Sequence, residues 1–149
     1  ALPASSAGTD LAPALEFAAR VVPRHAVVFL VSDFLADGWE KALGQCARRH
    51  DVIAVRLIPP ELAAPPDAGL LRVRDPETGA ATVVDWKDAG VREAYAARVA
   101  AKSRSIEDGL RRAQVDRMDV PIGRERDMDA IARPILKFFR MRELRGAKR

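Results

Sequence analysis

The sequence contains very little cysteine: Cys46 is the single thiol among 149 residues. One thiol can form neither an internal disulfide nor a cysteine-rich zinc or iron–sulfur site. Because proteins of oxidising compartments commonly carry disulfides, this composition favours a reducing compartment, and we expect a cytoplasmic protein. Cys46 falls on the apolar face of a predicted helix, so we expect it to be a small core side chain.

Long apolar runs are also missing. The longest, 26–31, has the length of a strand, whereas a membrane-spanning helix needs about 20 apolar residues. We therefore expect no membrane-spanning segment in this chain. The first residue is Ala1 rather than Met, and no signal-peptide pattern follows it. We expect a piece of a longer protein, in which upstream sequence could provide a tether to the membrane.

Common catalytic motifs are absent as well. The sequence has no Gly-x-Ser-x-Gly elbow, no Gly-x-x-x-x-Gly-Lys-Ser/Thr phosphate loop and no His-Glu-x-x-His helix. His25 and His50 have no partners at metal-ligand spacing, and we expect them at surface or capping positions. The predicted loops contain four acidic residues, and nothing in the sequence holds them in a metal-binding arrangement. They are Glu61, Asp67, Asp75 and Glu77. We therefore predict that the protein is not an enzyme.

What the sequence does have is the composition of a globular protein. Hydrophobic residues make up 48% of the chain and charged residues 31%, with a net charge of +4. A chain of this length can bury a substantial core without disulfides. We therefore predict a single domain over residues 1–149.

Helical periodicity and apolar runs of strand length alternate along the chain. Apolar residues recur at helical spacing over 9–22, 38–49, 89–113 and 127–144, the last interrupted or bent at Pro134. Continuous apolar runs, typical of parallel strands covered on both faces, occupy 26–32, 51–57 and 115–120. This alternation predicts an open α/β sheet with flanking helices.

The segment after the second strand has a different composition. Four prolines between residues 58 and 69 predict an exposed, extended loop. Two short stretches, 70–74 and 80–84, then flank a turn at 75–79. We predict a β-hairpin inserted into the domain over residues 70–85.

The strand at 27–31 raises a question about its free edge. It would be the first strand of the sheet, yet edge strands usually carry charge or proline, and this one is wholly apolar. Three things could cover the edge: the segment 1–8, a second copy of the chain in a homodimer, or strands from upstream sequence. We favour upstream strands.

Positive charge collects toward the C-terminus. The helix and tail at 133–149 hold seven cations against Glu143 alone, and we take Arg140 and Arg142 as candidate interaction residues. The predicted long helix adds Arg98, Lys102, Arg104, Arg111 and Arg112. An alternative function is therefore the binding of nucleic acid or another anionic surface. Acidic residues at ion-pairing spacings on the same helix disfavour nucleic acid as the partner.

Four strings of residues occur in a particular order and spacing. They are Phe29-Leu30-Val31-Ser32-Asp33-Phe34-Leu35, Ala47-Arg48-Arg49-His50-Asp51-Val52-Ile53-Ala54-Val55-Arg56, Arg74-Asp75-Pro76-Glu77-Thr78-Gly79 and Phe138-Phe139-Arg140. With them, the chain resembles the bacterial "domain of unknown function 58" family over about residues 8–142. Together with Gly8-Thr9-Asp10-Leu11 at the start of a helix, it resembles the second half of a von Willebrand factor A-like domain. The resemblance implies a Rossmann-like parallel sheet, here of about three strands, with helices on both faces.

The resemblance also implies a metal-ion-dependent adhesion site at the carboxyl ends of the strands. There a divalent cation, usually Mg²⁺, is held by an Asp-x-Ser-x-Ser loop, a threonine matched by Thr9 and an aspartate matched by Asp33. Oxygen ligands of this kind suit a hard cation. The sequence has no Asp-x-Ser-x-Ser loop, so the site is incomplete unless upstream sequence supplies it. Otherwise Thr9 would cap a helix, and Asp33 would cap a helix or close a turn.

Members of the resembled family often occur beside MoxR-type AAA+ ATPases. The resemblance therefore implies a non-enzymatic protein-interaction module, a cofactor of such an ATPase with metal-dependent partner binding in the complete domain. Asp10 and Phe34 adjoin the two metal positions and are candidate contact residues. We expect Trp39 to pack on the sheet, with an interface anchor as the alternative that makes it a further candidate.

Overall fold

The structure is a computed structural model that describes residues 10–74, 79–123 and 128–146. Thr9, the segment 1–8 and residues 75–78 of the predicted turn lie outside the described residues. The elements are α1 (Leu11–Val21), β1 (Val27–Ser32), α2 (Glu40–Ala47), β2 (Asp51–Ile58), α3 (Pro60–Ala63), β3 (Leu70–Arg74), β4 (Ala81–Asp85), α4 (Ala89–Arg112), β5 (Asp116–Pro121) and α5 (Met128–Gly146).

The main sheet has three parallel strands in the order β1-β2-β5. β3 and β4 form a separate antiparallel hairpin, with Leu70 opposite Asp85 and Arg74 opposite Ala81. The fold is therefore α/β, with a three-stranded parallel sheet, flanking helices and a small hairpin, as the sequence predicts. β2 lies in the middle of the sheet and is buried from position 52 to 56, which explains its nearly continuous apolar run.

Helices pack on both faces of the sheet. On one face, α1, α2 and α4 surround a core that includes Leu15, Leu43 and Leu110. On the other face, Ile131 and Ile135 of α5 pack against buried side chains of β2 and β5. The sheet is thus the middle layer of three, and most of the buried apolar side chains lie between it and α1, α2 and α4.

β1 is less buried than its sequence predicts. Its outward side chains are about half exposed: Val27 by 56%, Phe29 by 49% and Val31 by 57%. We call these three residues the β1 strip. The expectation that both faces of this strand are covered is wrong, because α5 lies over β2 and β5. α5 contacts β1 through the ring of Phe139, whose centroid lies 6.2 Å from that of Phe29. This contact leaves the β1 strip half exposed.

Two proline-containing segments also differ from expectation. The stretch 58–69 is not extended throughout, because it contains α3, which begins at Pro60. Proline suits the first position of a helix, where its fixed φ is helical and its missing N–H has no partner to lose. α5 is not interrupted at Pro134. Ile131 and Ile135, on either side of the proline, both pack on the sheet and support the helix there.

The single thiol and one histidine lie inside the protein. Cys46 is fully buried in the core, as expected, and burial raises the pKa of its thiol. His50 is also buried, with 5% of its surface exposed, so the expectation of a surface or capping position is wrong. It lies between α2 and β2, where its backbone N–H donates to the carbonyl oxygen of Cys46.

Candidate binding site at the carboxyl edge of the sheet

The carboxyl ends of β1 and β2 lie side by side, because Ser32 is paired with Arg56 in the parallel register. The loop that begins at Asp33 leaves the sheet at this edge, and α3 begins directly after β2. Open α/β sheets bind their ligands outside the carboxyl ends of their strands. The site that the sequence predicts would therefore lie here.

The loop after β1 is held by its own side chains. The backbone N–H of Phe34 donates to Oγ of Ser32, and that of Leu35 donates to Oδ1 of Asp33, both at 3.0 Å. Phe34 has a φ of 60°, which is uncommon for a bulky residue. Its ring packs edge-to-face on Trp39, with centroids 5.3 Å apart. The two turns and this core contact together fix the loop and leave Asp33 exposed.

Of the two metal positions that the resemblance implies, the described residues contain one, Asp33. Among the described residues, no group of three or more His, Cys, Asp or Glu side chains is placed to hold a metal ion. Asp33 brings one carboxylate to the expected edge, and its Oδ1 already accepts the Leu35 hydrogen bond. The match for the threonine, Thr9, lies outside the described residues. In the structure Asp33 closes a turn with the backbone of Leu35, and its role as a metal ligand stays a prediction.

The remaining interaction candidates do not come together. Asp10 caps α1, where its carboxylate accepts a hydrogen bond from the N–H of Ala12 at 3.0 Å. Phe34 and Trp39 are core residues, with 0% and 2% of their surface exposed, so neither presents a side chain to a partner. Both rings are apolar and fill the space between the sheet and the helices on one face.

Arg140 and Arg142 lie on α5. Arg140 is exposed, whereas Arg142 forms ion pairs with Asp51 and with Asp116, the latter at 3.4 Å. These two aspartates begin β2 and β5, so Arg142 is bound at the amino edge of the sheet. Arg142 and the Asp33 loop are therefore at opposite edges of the sheet.

A cleft that no sequence pattern predicts opens beside the Asp33 loop. It has a volume of about 690 Å³ and lies between that loop, α3 and the middle of α4. We call it the Arg56 cleft. Its lining residues are Leu35, Asp37, Arg56, Leu62, Tyr95, Arg98, Val99, Ala101, Lys102 and Ser105. Three of these are cations and one is an acid, so the cleft has an excess of positive charge.

Arg56 is the most buried polar residue in this cleft, with 5% of its surface exposed. Its Nη1 donates to Oγ of Ser103 at 2.9 Å, and its Nε has no hydrogen-bond partner. The signal in the sequence is a charge within the apolar run of β2. The run alone does not tell whether that charge reaches solvent or is enclosed by α4.

Tyr95 joins two walls of the cleft. Its hydroxyl donates to the backbone carbonyl of Glu61 in α3, and its ring packs edge-to-face on Trp86 with centroids 5.1 Å apart. Burial raises the pKa of Tyr95, and the charge of Glu61 raises it further. The hydrogen bond holds α3 against α4 and so fixes the width of the cleft.

The cations of α4 are partly engaged by acids. Lys102 forms an ion pair with Asp37, and Arg111 forms one with Asp108. These pairs reduce the charge that the helix offers to a polyanion. Nucleic-acid binding through α4 stays a prediction.

None of the helices within 10–74, 79–123 and 128–146 is long and apolar enough to span a membrane.

Comparison with known proteins gives a family and uncharacterised relatives. The family model described as "Protein of unknown function DUF58" matches residues 1–105. Uncharacterized protein MAV169 of Mycobacterium avium is 33% identical over 103 residues, which are 68% of this chain and 60% of that protein. Uncharacterized protein Rv1480 of Mycobacterium tuberculosis is 33% identical over 81 residues, or 52% of this chain and 26% of that protein. The chain thus covers less than two thirds of either relative. No solved structure matches it.

Proposed function

This chain belongs to the family described as protein of unknown function DUF58, and we propose that it is a protein-interaction module without catalytic activity. In this proposal it is the second half of a von Willebrand factor A-like domain, and its partner is a MoxR-type AAA+ ATPase. The succession of α1, β1, α2 and β2, with β1 and β2 parallel, supports the von Willebrand factor A-like assignment.

The β1 strip carries this proposal. Among the strands of the described residues, β1 is at the end of the order β1-β2-β5, and Val27, Phe29 and Val31 are each about half exposed. An end strand has a row of backbone N–H and C=O groups without strand partners, which is a template for another strand. Exposed apolar side chains beside that row add a surface that gains free energy when it is covered.

As the occupant of this edge we propose a further strand of the same domain, supplied by upstream sequence. MAV169 and Rv1480 both extend beyond the segment that matches this chain, which supports a larger domain. The apolar, β-branched character of β1 is typical of an interior strand of a parallel sheet. A completed sheet would present the Asp33 loop and the Arg56 cleft to the ATPase along one carboxyl edge.

Of the metal ligands that the resemblance implies, the described residues supply one, the carboxylate of Asp33. Metal-dependent binding, which the resemblance implies, stays a prediction for a domain that contains the missing Asp-x-Ser-x-Ser loop.

Hydrogen exchange of the β1 amides tests whether a further strand of the same domain pairs with β1. We compare the 149-residue chain with the product of the complete reading frame. We expect the outward amides of β1 to exchange at least tenfold more slowly in the complete product, because a neighbouring strand protects them. Equal exchange in both proteins would contradict the proposal. A dimeric 149-residue chain with protected β1 amides would instead identify a second copy as the occupant.

Binding to the MoxR-type ATPase of the same organism tests the partner. The complete product should bind the immobilised ATPase, and the variant Val31→Lys should weaken binding at least tenfold because it disrupts the completed sheet. Leu136→Lys is the matched control, since Leu136 is an equally apolar and exposed residue on α5 outside the β1 strip. Absence of binding by the complete product, or the same loss in both variants, would overturn the partner assignment.

A further inference from the structure

Arg56 is a buried cation for which the described residues provide no carboxylate partner. Its guanidinium donates to the hydroxyl of Ser103, and its Nε has no hydrogen-bond partner. Burying a charge is costly unless it is paired and hydrogen-bonded. A buried, unsatisfied group of this kind points to a missing partner.

The two neighbouring acids form their ion pairs with other cations. Asp119, which lies opposite Arg56 on β5, is 3.3 Å from Nε of Arg117 through its Oδ1, and this buried oxygen accepts no hydrogen bond. Asp37 forms its ion pair with Lys102 and is itself 92% exposed. The Arg56 cleft therefore has a fixed positive group at its base and an exposed, displaceable acid at its rim.

The rest of the cleft indicates what kind of anion fits. Arg98 and Lys102 lie one helical turn apart on α4 and add charge beside Arg56. Leu35, Leu62 and Val99 add apolar walls. A ligand that combines a carboxylate with apolar neighbours matches this lining better than an isolated, fully hydrated anion does.

The position on α4 also argues against a phosphate site. Phosphates commonly bind at helix N-termini, where free backbone N–H groups point at the ligand. α4 contributes residues 95–105 to the cleft, and these lie in its interior, where backbone N–H groups are already bonded within the helix. A guanidinium can give two parallel hydrogen bonds to a carboxylate or to a phosphate. The helix-interior position and the apolar walls of the cleft therefore carry the preference for a carboxylate.

We propose that the Arg56 cleft binds the carboxylate side chain of an extended acidic segment from a partner protein. Arg56 receives the carboxylate, Arg98 and Lys102 attract the segment, and Leu35, Leu62 and Val99 contact its apolar neighbours. The proposal rests on the protein-interaction role given above and names the chemistry that the partner presents. The described part of the 149-residue chain contains all these residues, so the cleft can be tested without upstream strands and without an ATPase.

A peptide titration of the ¹⁵N-labelled 149-residue chain tests the proposal. The probes are acetyl-Leu-Glu-Leu-amide, its isostere acetyl-Leu-Gln-Leu-amide, and inorganic phosphate, followed by NMR at low ionic strength. We expect the Glu peptide to shift the Nε–H signal of Arg56 and the backbone signals of residues 98–105. The Gln peptide should bind at least tenfold more weakly, because an amide cannot form the charged pair.

Variants distinguish binding in the Arg56 cleft from non-specific attraction of the peptide to the positive charge of α4. Arg56→Met should lower affinity for the Glu peptide at least tenfold, while Arg104→Met, which removes an exposed cation of α4 outside the cleft, should leave it unchanged. Replacing an unpaired buried charge by an apolar side chain of similar length is expected to preserve folding. Arg98→Met, at an exposed position of the rim, should lower affinity about threefold by weakening electrostatic attraction. It provides the test should Arg56→Met not fold.

The outcomes are distinct. Equal binding of the Glu and Gln peptides, or unchanged binding in a folded Arg56→Met variant, would overturn the proposal. So would phosphate that shifts the same signals while the Glu peptide does not, since a small free anion would then be the ligand. Because the titration does not involve the β1 strip, Val31→Lys should bind the peptide normally even if the strand or ATPase proposal fails.

Discussion

The indole ring of Trp39 lies against the backbone of α4 at Gly109. A β-carbon on residue 109 would lie 2.8 Å from Cη2 of Trp39, which is closer than side chains approach in folded proteins. Trp39 also packs edge-to-face with the ring of Phe34. The missing side chain at 109 therefore allows α4 to pack closely against the start of α2.

Substitution Gly109→Ala should destabilise the fold. We expect a loss of about 1–3 kcal/mol in the free energy of unfolding, because overpacking outweighs the better helix propensity of alanine. Urea unfolding measures it. Gly44→Ala is the matched control: its β-carbon meets nothing nearer than Nη1 of Arg48 at 4.0 Å, and it should gain about 0.5–1 kcal/mol. A gain in both variants would contradict the close packing on Trp39.

Asp33 should contribute to stability through its turn rather than through its charge. Asp33→Ala removes the acceptor for the N–H of Leu35 and should cost about 1 kcal/mol of unfolding free energy. Asp33→Asn keeps an oxygen acceptor in the same place, so we expect a change within about 0.5 kcal/mol of zero. Equal losses in both variants would assign the contribution to the carboxylate charge.

Divalent cations should not bind specifically to the 149-residue chain. We expect Mn²⁺ at or below millimolar concentration to leave the NMR signals of residues 32–35 no broader than those of other exposed acidic loops. The reason is that Asp33 has no second or third described metal-ligating side chain beside it. Broadening confined to the Asp33 loop would show a metal site and would favour the metal-dependent form of partner binding.

Arg142 should fasten α5 to the amino edge of the sheet. Arg142→Met removes the ion pairs with Asp51 and Asp116 and should cost about 1 kcal/mol at low salt, with a smaller cost in about 1 M NaCl. Arg140→Met, an exposed cation of the same helix, should change stability by less than about 0.5 kcal/mol. A salt-independent loss at Arg142 would instead point to its packing over the Phe138 ring.

Tyr95 should make the fold less stable at alkaline pH. Its pKa is raised by burial and by Glu61, so the folded protein holds the phenolic proton above pH 10, where the unfolded chain has lost it. The stabilisation that the protonated Tyr95 gives the fold is therefore fully present below about pH 10. It is lost as the pH rises through the pKa of Tyr95 in the folded protein. Because Tyr95 is the only tyrosine, phenolate absorbance reports it alone.

We expect a titration midpoint above 10 in the native protein and near 10 in urea. Tyr95→Phe should abolish this part of the alkaline loss and cost about 1 kcal/mol at neutral pH for the hydrogen bond to Glu61. Identical native and urea midpoints would contradict the burial of the hydroxyl.

Local patterns predict the elements of this fold well and its site poorly. The helix at 9–22 is observed as Leu11–Val21, and the hairpin and the three parallel strands lie where their residues predict. The failures concern exposure. Phe34 was a candidate contact residue, yet it is fully buried in the core, whereas Trp39 packs in the core as the favoured expectation has it. The sequence of a loop does not predict whether its aromatic side chains are buried, because their burial depends on the helices that pack against the loop.

The order of helices and strands, the parallel sheet and the absence of an internal disulfide follow from side-chain periodicity and from a single cysteine. The half-exposed strip on β1, the ion pair of Arg142 with Asp51 and the enclosure of Arg56 beside Ser103 arise from the packing of the layers. Each of these depends on residues far apart in the chain. Burial and charge pairing are properties of the assembled layers, so one strand or helix cannot encode them alone.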